Sequence, residues 1–297
     1  SWTVTDQCNY QCAYCDSWEL EKKELTTAEA LNLVDEMAAL GVLKLSLSGG
    51  EPLLRPDMGP ILDAVRRRGI RFSLNTNGSL FVRKWPILRG VSTVVFSLDG
   101  PPEVHDRIRG PGSFEAIAEA TDLARSNGVK VLYTTVISAE SLGSVDWMLD
   151  HAKARRVPVT FQPATEDKLR KTARNPISPE PGAYRAAIDR VLAAKKSNAY
   201  IANSAEGLRF LRRWPEPAPM PCGGYVFCRV KSDGEVAVCG RVDHGDLRPN
   251  VREGGLSAAF AKLPVPTCDD CWCAPRVEFN KAFRLAPSAV WNLASFL

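Results

Sequence analysis

Between Trp2 and about Pro163 the chain alternates β-rich runs with helix signals, and this alternation restricts the fold more than any other feature of the sequence. The β-rich runs fall at 2–5, 42–48, 71–74, 93–98, 131–137 and 159–162. The spacing predicts a helix over 26–40, where Ala30, Leu33, Met37 and Leu40 recur on one face behind threonines suited to an N-cap. A second helix over 58–68 ends in three arginines beside Gly69, where cations favour the carbonyl end of the dipole. Further helices are expected near 81–88, 114–127 and 142–155. Strands separated by helices pair in parallel through right-handed crossovers. The fold class is therefore α/β, as an α/β barrel or an open doubly wound sheet.

In either architecture, ligands sit on loops leaving the C-terminal ends of the strands. Three polar segments fall there: Ser48-Gly49-Gly50-Glu51, Asn75-Thr76-Asn77-Gly78 and Ser97-Leu98-Asp99-Gly100. One such segment is an ordinary turn, but three at successive strand ends predict a single site. After Gln162 the pattern changes. Two amphipathic helices are expected at 184–196 and 205–213, then Pro215, Pro217, Pro219 and Pro221 form a stiff linker. The expected organisation is a core at 1–163, a helical connector and linker at 164–221, and a small separate module at 222–297.

The cysteines carry the chemistry. Nine of them lie in two blocks, Cys8, Cys12 and Cys15, then Cys222, Cys228, Cys239, Cys268, Cys271 and Cys273. An odd total with tight local spacing argues for metal rather than structural disulfides. The first block is C-x3-C-x2-C, with no His before His105 and no further Cys before Cys222. Structural zinc asks for four enclosing ligands, whereas three thiolates on one loop suit an iron–sulfur cluster with one open iron; zinc stays open at this point. At 45% hydrophobic and 24% charged the chain is neither disordered nor collagenous, and a net charge of +4 is too small to argue for nucleic acid. No apolar run approaches a membrane span and no signal-peptide pattern opens the chain. A reducing cytoplasm is the expected location. The start at Ser1 lacks an initiator Met, which leaves room for preceding residues.

The cysteine loop after the first strand, Tyr14 immediately before its last cysteine, and Gly49-Gly50-Glu51-Pro52 after the second strand together resemble the radical SAM (S-adenosylmethionine) superfamily. The resemblance runs from Trp2 to about Pro163. It implies a partial (β/α)6 TIM-like barrel in which Cys8, Cys12 and Cys15 hold a 4Fe-4S cluster. The fourth iron is then chelated by the amino and carboxylate groups of S-adenosylmethionine. One electron, from a donor such as flavodoxin or ferredoxin, cleaves the sulfonium bond to give methionine and a 5′-deoxyadenosyl radical that abstracts hydrogen. Gly49 and Gly50 are expected to let backbone approach a bound ligand. Glu51 can accept hydrogen bonds from an ammonium, and the resemblance places the methionyl amine there. Asn75, Thr76, Ser97 and Asp99 stand where the family uses polar side chains around S-adenosylmethionine or substrate. The stretch His105-Asp106-Arg107-Ile108-Arg109-Gly110 resembles one common in the branch with extra clusters. Arg109 either binds a carboxylate of S-adenosylmethionine or substrate as a bidentate fork, or makes a solvated salt bridge.

In the second block, Cys222-x11-Gly234-x4-Cys239 resembles the opening of the SPASM or twitch modules, which hold auxiliary 4Fe-4S clusters. Lys231, Ser232, Asp233 and Gly234 predict a turn between strands at 226–230 and 235–238. A full SPASM module has seven cysteines and two clusters, and six cysteines stand here. The expected count is one auxiliary cluster on Cys222, Cys239, Cys268 and Cys271, leaving Cys228 and Cys273 over. The alternatives are a second cluster, helped by Asp269 or Asp270, and a zinc ribbon. A leftover thiol is a further ligand, a buried small apolar residue, or a hydrogen-atom donor. A helix is expected over 256–263, and the apolar tail at 283–297 is expected to pack on the core as a closing helix.

The expected function is reductive cleavage of S-adenosylmethionine followed by hydrogen abstraction from a substrate C–H bond, ending in oxidation, epimerisation or bond formation. With no peptide-binding domain before Ser1, the expected substrate is a small molecule such as a sugar, nucleoside or lipid precursor; a ribosomally made peptide is the alternative. A non-catalytic iron–sulfur electron carrier or a zinc-binding interaction protein is the reading of another class, and neither needs Gly49-Gly50-Glu51.

Overall fold

A computed structural model describes residues 1–19, 23–168, 173–224, 226–239, 247–264 and 270–290. In chain order its main elements are β1 (Trp2–Thr3), α1 (Thr27–Ala39), β2 (Lys44–Ser48), α2 (Met58–Arg67), β3 (Arg71–Thr76), α3 (Phe81–Lys84), β4 (Val91–Ser97), α4 (Pro102–Arg109), α5 (Ser113–Ser126), β5 (Lys130–Ile137), α6 (Val145–Arg155) and β6 (Val159–Pro163). There follow α7 (Pro181–Ala194), α8 (Ala205–Leu211), β7 (Arg229–Val230), β8 (Val236–Ala237), α9 (Gly255–Ala261) and α10 (Ala274–Phe283).

Strands β1 to β6 pair in parallel, each with its chain neighbour, in the sheet order β6-β5-β4-β3-β2-β1-β7-β8. The order never reverses, so the sheet lacks the switch point of a doubly wound fold, and crossovers of one hand place their helices on one side. That is the arrangement of a partial barrel, open between β6 and the C-terminal hairpin. One sheet face carries Leu45, Leu47, Phe72, Leu74, Val94 and Phe96, which are buried in a single core with Leu33, Met37, Ile61, Val65 and Ile117 of the helices. The other face is less buried and polar, with Ser46, Ser48, Asn75, Ser97, Thr134 and Gln162.

Local sequence explains the ends. Helix α1 begins with a capping box in which the Thr26 hydroxyl accepts from the Glu29 amide and the Glu29 side chain accepts from the Thr26 amide. Thr26→Ala is expected to cost about 1 kcal/mol, read as a lower urea midpoint of the metal-free protein. The helix expected at 81–88 is cut short: α3 gives way to a 3-10 turn (Trp85–Ile87) because Pro86 supplies no amide hydrogen. Helix α4 was not expected. It opens on two prolines and buries only His105, Ile108 and Arg109, too few to set an apolar period.

The hairpin β7–β8 forms at the expected turn, where Gly234 adopts φ +85°. It does not stand apart from the core: β7 pairs in parallel with β1, Trp2 opposite Val230, and extends the sheet. The proline segment is likewise packed, with Trp214 buried before the prolines and Ala218 and Met220 buried between them. The helix that docks near the end of the chain is α10, earlier than expected, with Ala274 and Val277 in the core. Leu285 beyond it is 79% exposed, and 291–297 of the expected closing helix lie outside the described residues.

Candidate active site

The parallel ladder continues past the ends of β1 and β2. The Val4 amide donates to the Ser48 carbonyl (2.8 Å), Gly50 to Thr5 (2.9 Å) and Glu51 to Gln7 (2.8 Å). The segment leading to Cys8 is thus fixed edge to edge against Gly49-Gly50-Glu51. A Cβ on Gly49 would lie 2.4 Å from the Thr5 carbonyl oxygen, and one on Gly50 would lie 2.2 Å from that of Gln7. The space freed by these glycines is therefore taken by the chain's own backbone, a correction to the expected approach of a ligand on that side.

Cys8, Cys12 and Cys15 occupy the loop that follows, with a turn from the Cys15 amide to the Cys12 carbonyl (2.9 Å). Burial pushes the Cys12 thiol up to about 11, with the other two thiols adding to it and Arg109 opposing it. Donors point at the sulfurs: the Tyr10 amide (3.4 Å) and Asn77 Nδ2 (3.9 Å) at Cys8, and Arg109 Nη1 (3.8 Å) at Cys12. Among the described residues no three His, Cys, Asp or Glu side chains converge on one metal ion. Structural zinc asks for four enclosing ligands; three thiols on one loop with donors aimed at two of the sulfurs fit an iron–sulfur cluster that keeps one iron open.

Glu51 is fully buried. Its carboxylate accepts from Leu53 N (3.0 Å), Asn77 N (2.9 Å) and the Thr76 hydroxyl (2.8 and 2.9 Å). Burial nevertheless raises its pKa to about 7, and no described cation opposes that rise. The Thr76 hydroxyl spans both oxygens, so three donors meet about four lone-pair sites and a further donor fits. The arrangement accommodates an ammonium group.

On the other side of the loop, Asp99 is buried at the end of β4. It pairs with Arg109 Nε (2.7 Å) and accepts from the Tyr14 hydroxyl (2.9 Å) and the Val136 amide (2.9 Å). Arg109 also donates to the Tyr14 hydroxyl. Arg109 is consequently neither a solvated ion pair nor an open fork, which corrects both expectations. His105 Nδ1 accepts from the Asp99 amide (3.1 Å), and burial holds its pKa down at about 4. It is a neutral support for the β4 turn.

Thr76 acts on Glu51, while Asn75 donates to the Ser46 hydroxyl (2.9 Å) and the Leu47 carbonyl (3.1 Å). Ser97 lies on the polar face opposite Thr134. Asn77 belongs to the second polar strand-end segment but is not singled out there as a site residue, yet its amide meets Glu51 and its side chain meets Cys8. Its position in the second polar strand end was the available signal.

In the C-terminal part, Cys222, Cys228, Cys239, Cys271 and Cys273 are described and none forms a disulfide, while Cys268 and Asp269 lie outside the described residues. Buried Asn280 accepts from the Gly223 amide (3.0 Å) and donates to Cys271 Sγ (3.8 Å), which ties the first and last parts of the block together. Cys228 packs against the hydrophobic core, and Cys273 precedes α10, where the Ala274 amide donates to Gln162 of β6 (3.1 Å). Lys168 pairs with Glu19 and Arg174 with Asp167, and 169–172 lie outside the described residues. No described helix is long and apolar enough to cross a membrane.

The sequence profile of the Radical SAM superfamily matches residues 2–152. The chain is 30% identical over 164 residues to an Fe-coproporphyrin III synthase of Methanosarcina barkeri, covering 53% of this chain and 41% of that protein. It is 35% identical over 162 residues to an AdoMet-dependent heme synthase of the same organism, covering 52% and 46%. It is 32% identical over 156 residues to the mycofactocin maturase MftC of Mycobacterium tuberculosis, covering 49% and 39%. The chain thus matches less than half the length of each of these curated relatives. SuiB of Streptococcus suis bound to S-adenosylmethionine shares the fold with a TM-score of 0.70 at 17% identity, over 89% of this chain and 65% of that one. The structure of anSMEcpe with bound AdoMet gives 0.69 at 20% identity, over 87% and 79%. Since the profile spans half of the chain and takes in the cysteine loop, Glu51 and Asp99 alike, the chain belongs to the radical SAM superfamily.

Proposed function

We propose that this chain is an enzyme that cleaves S-adenosylmethionine reductively and abstracts hydrogen from a substrate C–H bond. The observation that carries the reading is Glu51, a buried carboxylate with no cation beside it among the described residues, held beside a loop of three thiols. When bound, a 4Fe-4S cluster and S-adenosylmethionine would supply one-electron cleavage and the 5′-deoxyadenosyl radical. In this reading Cys8, Cys12 and Cys15 hold the cluster and Glu51 receives the amine. Asn77 links the two, since its amide meets Glu51 and its side chain meets Cys8. Asn75 and Ser97 line the polar face towards the substrate.

Cys222, Cys239, Cys268 and Cys271 are proposed to hold one auxiliary cluster, supported by the Asn280 bridge between Gly223 and Cys271. The substrate is proposed to be a small molecule, in keeping with the Fe-coproporphyrin III synthase and the AdoMet-dependent heme synthase among the relatives; a ribosomally made peptide is the second reading. A flavodoxin- or ferredoxin-type donor would supply the electron.

Anaerobically reconstituted protein with dithionite and S-adenosylmethionine is expected to release 5′-deoxyadenosine, measured by chromatography. Cys8→Ala, Cys12→Ala or Cys15→Ala is expected to lower that release at least roughly a thousandfold, equivalent to ~4 kcal/mol in the barrier. No release from wild-type protein with full iron and sulfide would instead favour an electron carrier.

A further inference from the structure

The guanidinium of Arg109 has two different neighbours at its two ends. Nε meets the Asp99 carboxylate at 2.7 Å, while Nη1 reaches Cys12 Sγ at 3.8 Å. Both side chains of the ion pair are almost wholly buried, 7% and 0% exposed. The guanidinium plane is held further by Nη2 donating to the Tyr14 hydroxyl, which itself donates to Asp99. Backbone secures the frame: the Ala13 amide donates to the Ile108 carbonyl (3.2 Å), fastening the cysteine loop to the end of α4. The cationic end therefore faces sulfur, and the anion sits behind it.

We infer that Arg109 and Asp99 form an oriented ion pair that sets the reduction potential of the cluster held by Cys8, Cys12 and Cys15. The inference rests on the proposed reading of those cysteines as cluster ligands. Reduction adds negative charge to the cluster, and hydrogen bonds and cations at the ligand sulfurs favour the reduced state. In a buried setting such a charge is poorly screened. Arg109 makes the cluster easier to reduce, and Asp99 moderates that effect while fixing the guanidinium in place. Both are positioning residues for electron entry.

The test is a redox titration of reconstituted protein without S-adenosylmethionine, followed by electron paramagnetic resonance. The relevant signal is the one missing from a Cys8→Ala/Cys12→Ala/Cys15→Ala variant. If wild-type protein shows no such signal, the reading of the cysteine loop fails. If the signal is present, Arg109→Gln is expected to shift its midpoint to lower potential and Asp99→Asn to higher potential. Opposite shifts are not expected from general loosening of the fold. Shifts of the same sign, or none, overturn the inference while leaving the cluster in place. Should Arg109→Gln bind no iron, Asp99→Asn decides alone: an upward shift supports the inference, and no shift or a downward one overturns it.

Discussion

Glu51→Gln is expected to weaken S-adenosylmethionine binding about a hundredfold and to remove its pH dependence below neutrality. Losing one partner of a buried, hydrogen-bonded charge pair costs roughly 2–5 kcal/mol, and a hundredfold lies at the lower end of that range. The pH dependence follows from burial, which raises the Glu51 pKa from 4.5 to about 7. A raised carboxyl holds its proton more tightly in the folded state. Its contribution to the stability of the ligand-free protein is therefore complete below about 4.5 and is lost as pH rises through about 7. An ammonium reverses the preference, because it pairs only with the ionised form. Wild-type binding should tighten with pH and level off above neutrality, being roughly tenfold weaker at pH 6 than at pH 8. Equilibrium dialysis of the reconstituted protein across that range checks both points. A slope that survives in Glu51→Gln would show that another group binds the amine. Gln keeps one acceptor but turns an NH2 towards the Asn77 or Leu53 amide, so circular dichroism should accompany the binding curve.

The residues that make up this site differ in how far the sequence alone reveals them. Cys8, Cys12, Cys15 and Glu51 are legible because their spacing and strand-end positions are local properties. Thr76 and Asp99 are legible as positions but not as partners, because Thr76–Glu51 joins two strand ends that only the sheet order brings together, and Asp99–Arg109 requires α4 to fold back over the end of β4. Helix α4 is obscured by Pro101, Pro102 and a charged surface, yet it carries both His105 and Arg109 to the site. The pairing of β7 with β1 is harder still to foresee. Each strand is two residues long, and their register depends on a partial barrel that leaves the β1 edge open.

The β1 edge, covered by β7, explains how the two cysteine blocks belong to one structure. The Ser232 hydroxyl in the β7–β8 turn donates to Asp6, and the Leu25 amide donates to the Ser232 carbonyl (2.8 Å). Arg252 adds bonds to Glu29 (2.6 and 3.0 Å) and to the Asp233 and Glu24 carbonyls (2.8 and 3.2 Å). The C-terminal turn thus holds the stretch on both sides of the first cysteine loop. A second module would otherwise leave an unpaired strand edge beside the site.

Gly50→Ala is expected to be severely damaging for a change of a single methyl group. The new Cβ would sit 2.2 Å from the Gln7 carbonyl oxygen and 2.6 Å from that of Asp6, and both obstacles are backbone. Relief would require the segment before Cys8 to move away. That movement breaks the Gly50–Thr5 and Glu51–Gln7 hydrogen bonds, at 2.9 and 2.8 Å, which align Glu51 with the cysteine loop. Overpacking of this kind costs typically ~1–3 kcal/mol, and the loss of two backbone bonds adds to it. The same displacement moves Cys8, so iron per chain should fall together with the urea midpoint. Gly143 is the matched control: a Cβ there meets nothing within 4 Å, and its φ is not positive. Gly143→Ala should leave both measurements unchanged or raise the midpoint slightly. Wild-type iron content and midpoint in Gly50→Ala would mean that the loop seats without this ladder, and the alignment of Glu51 with Cys8 would need another cause.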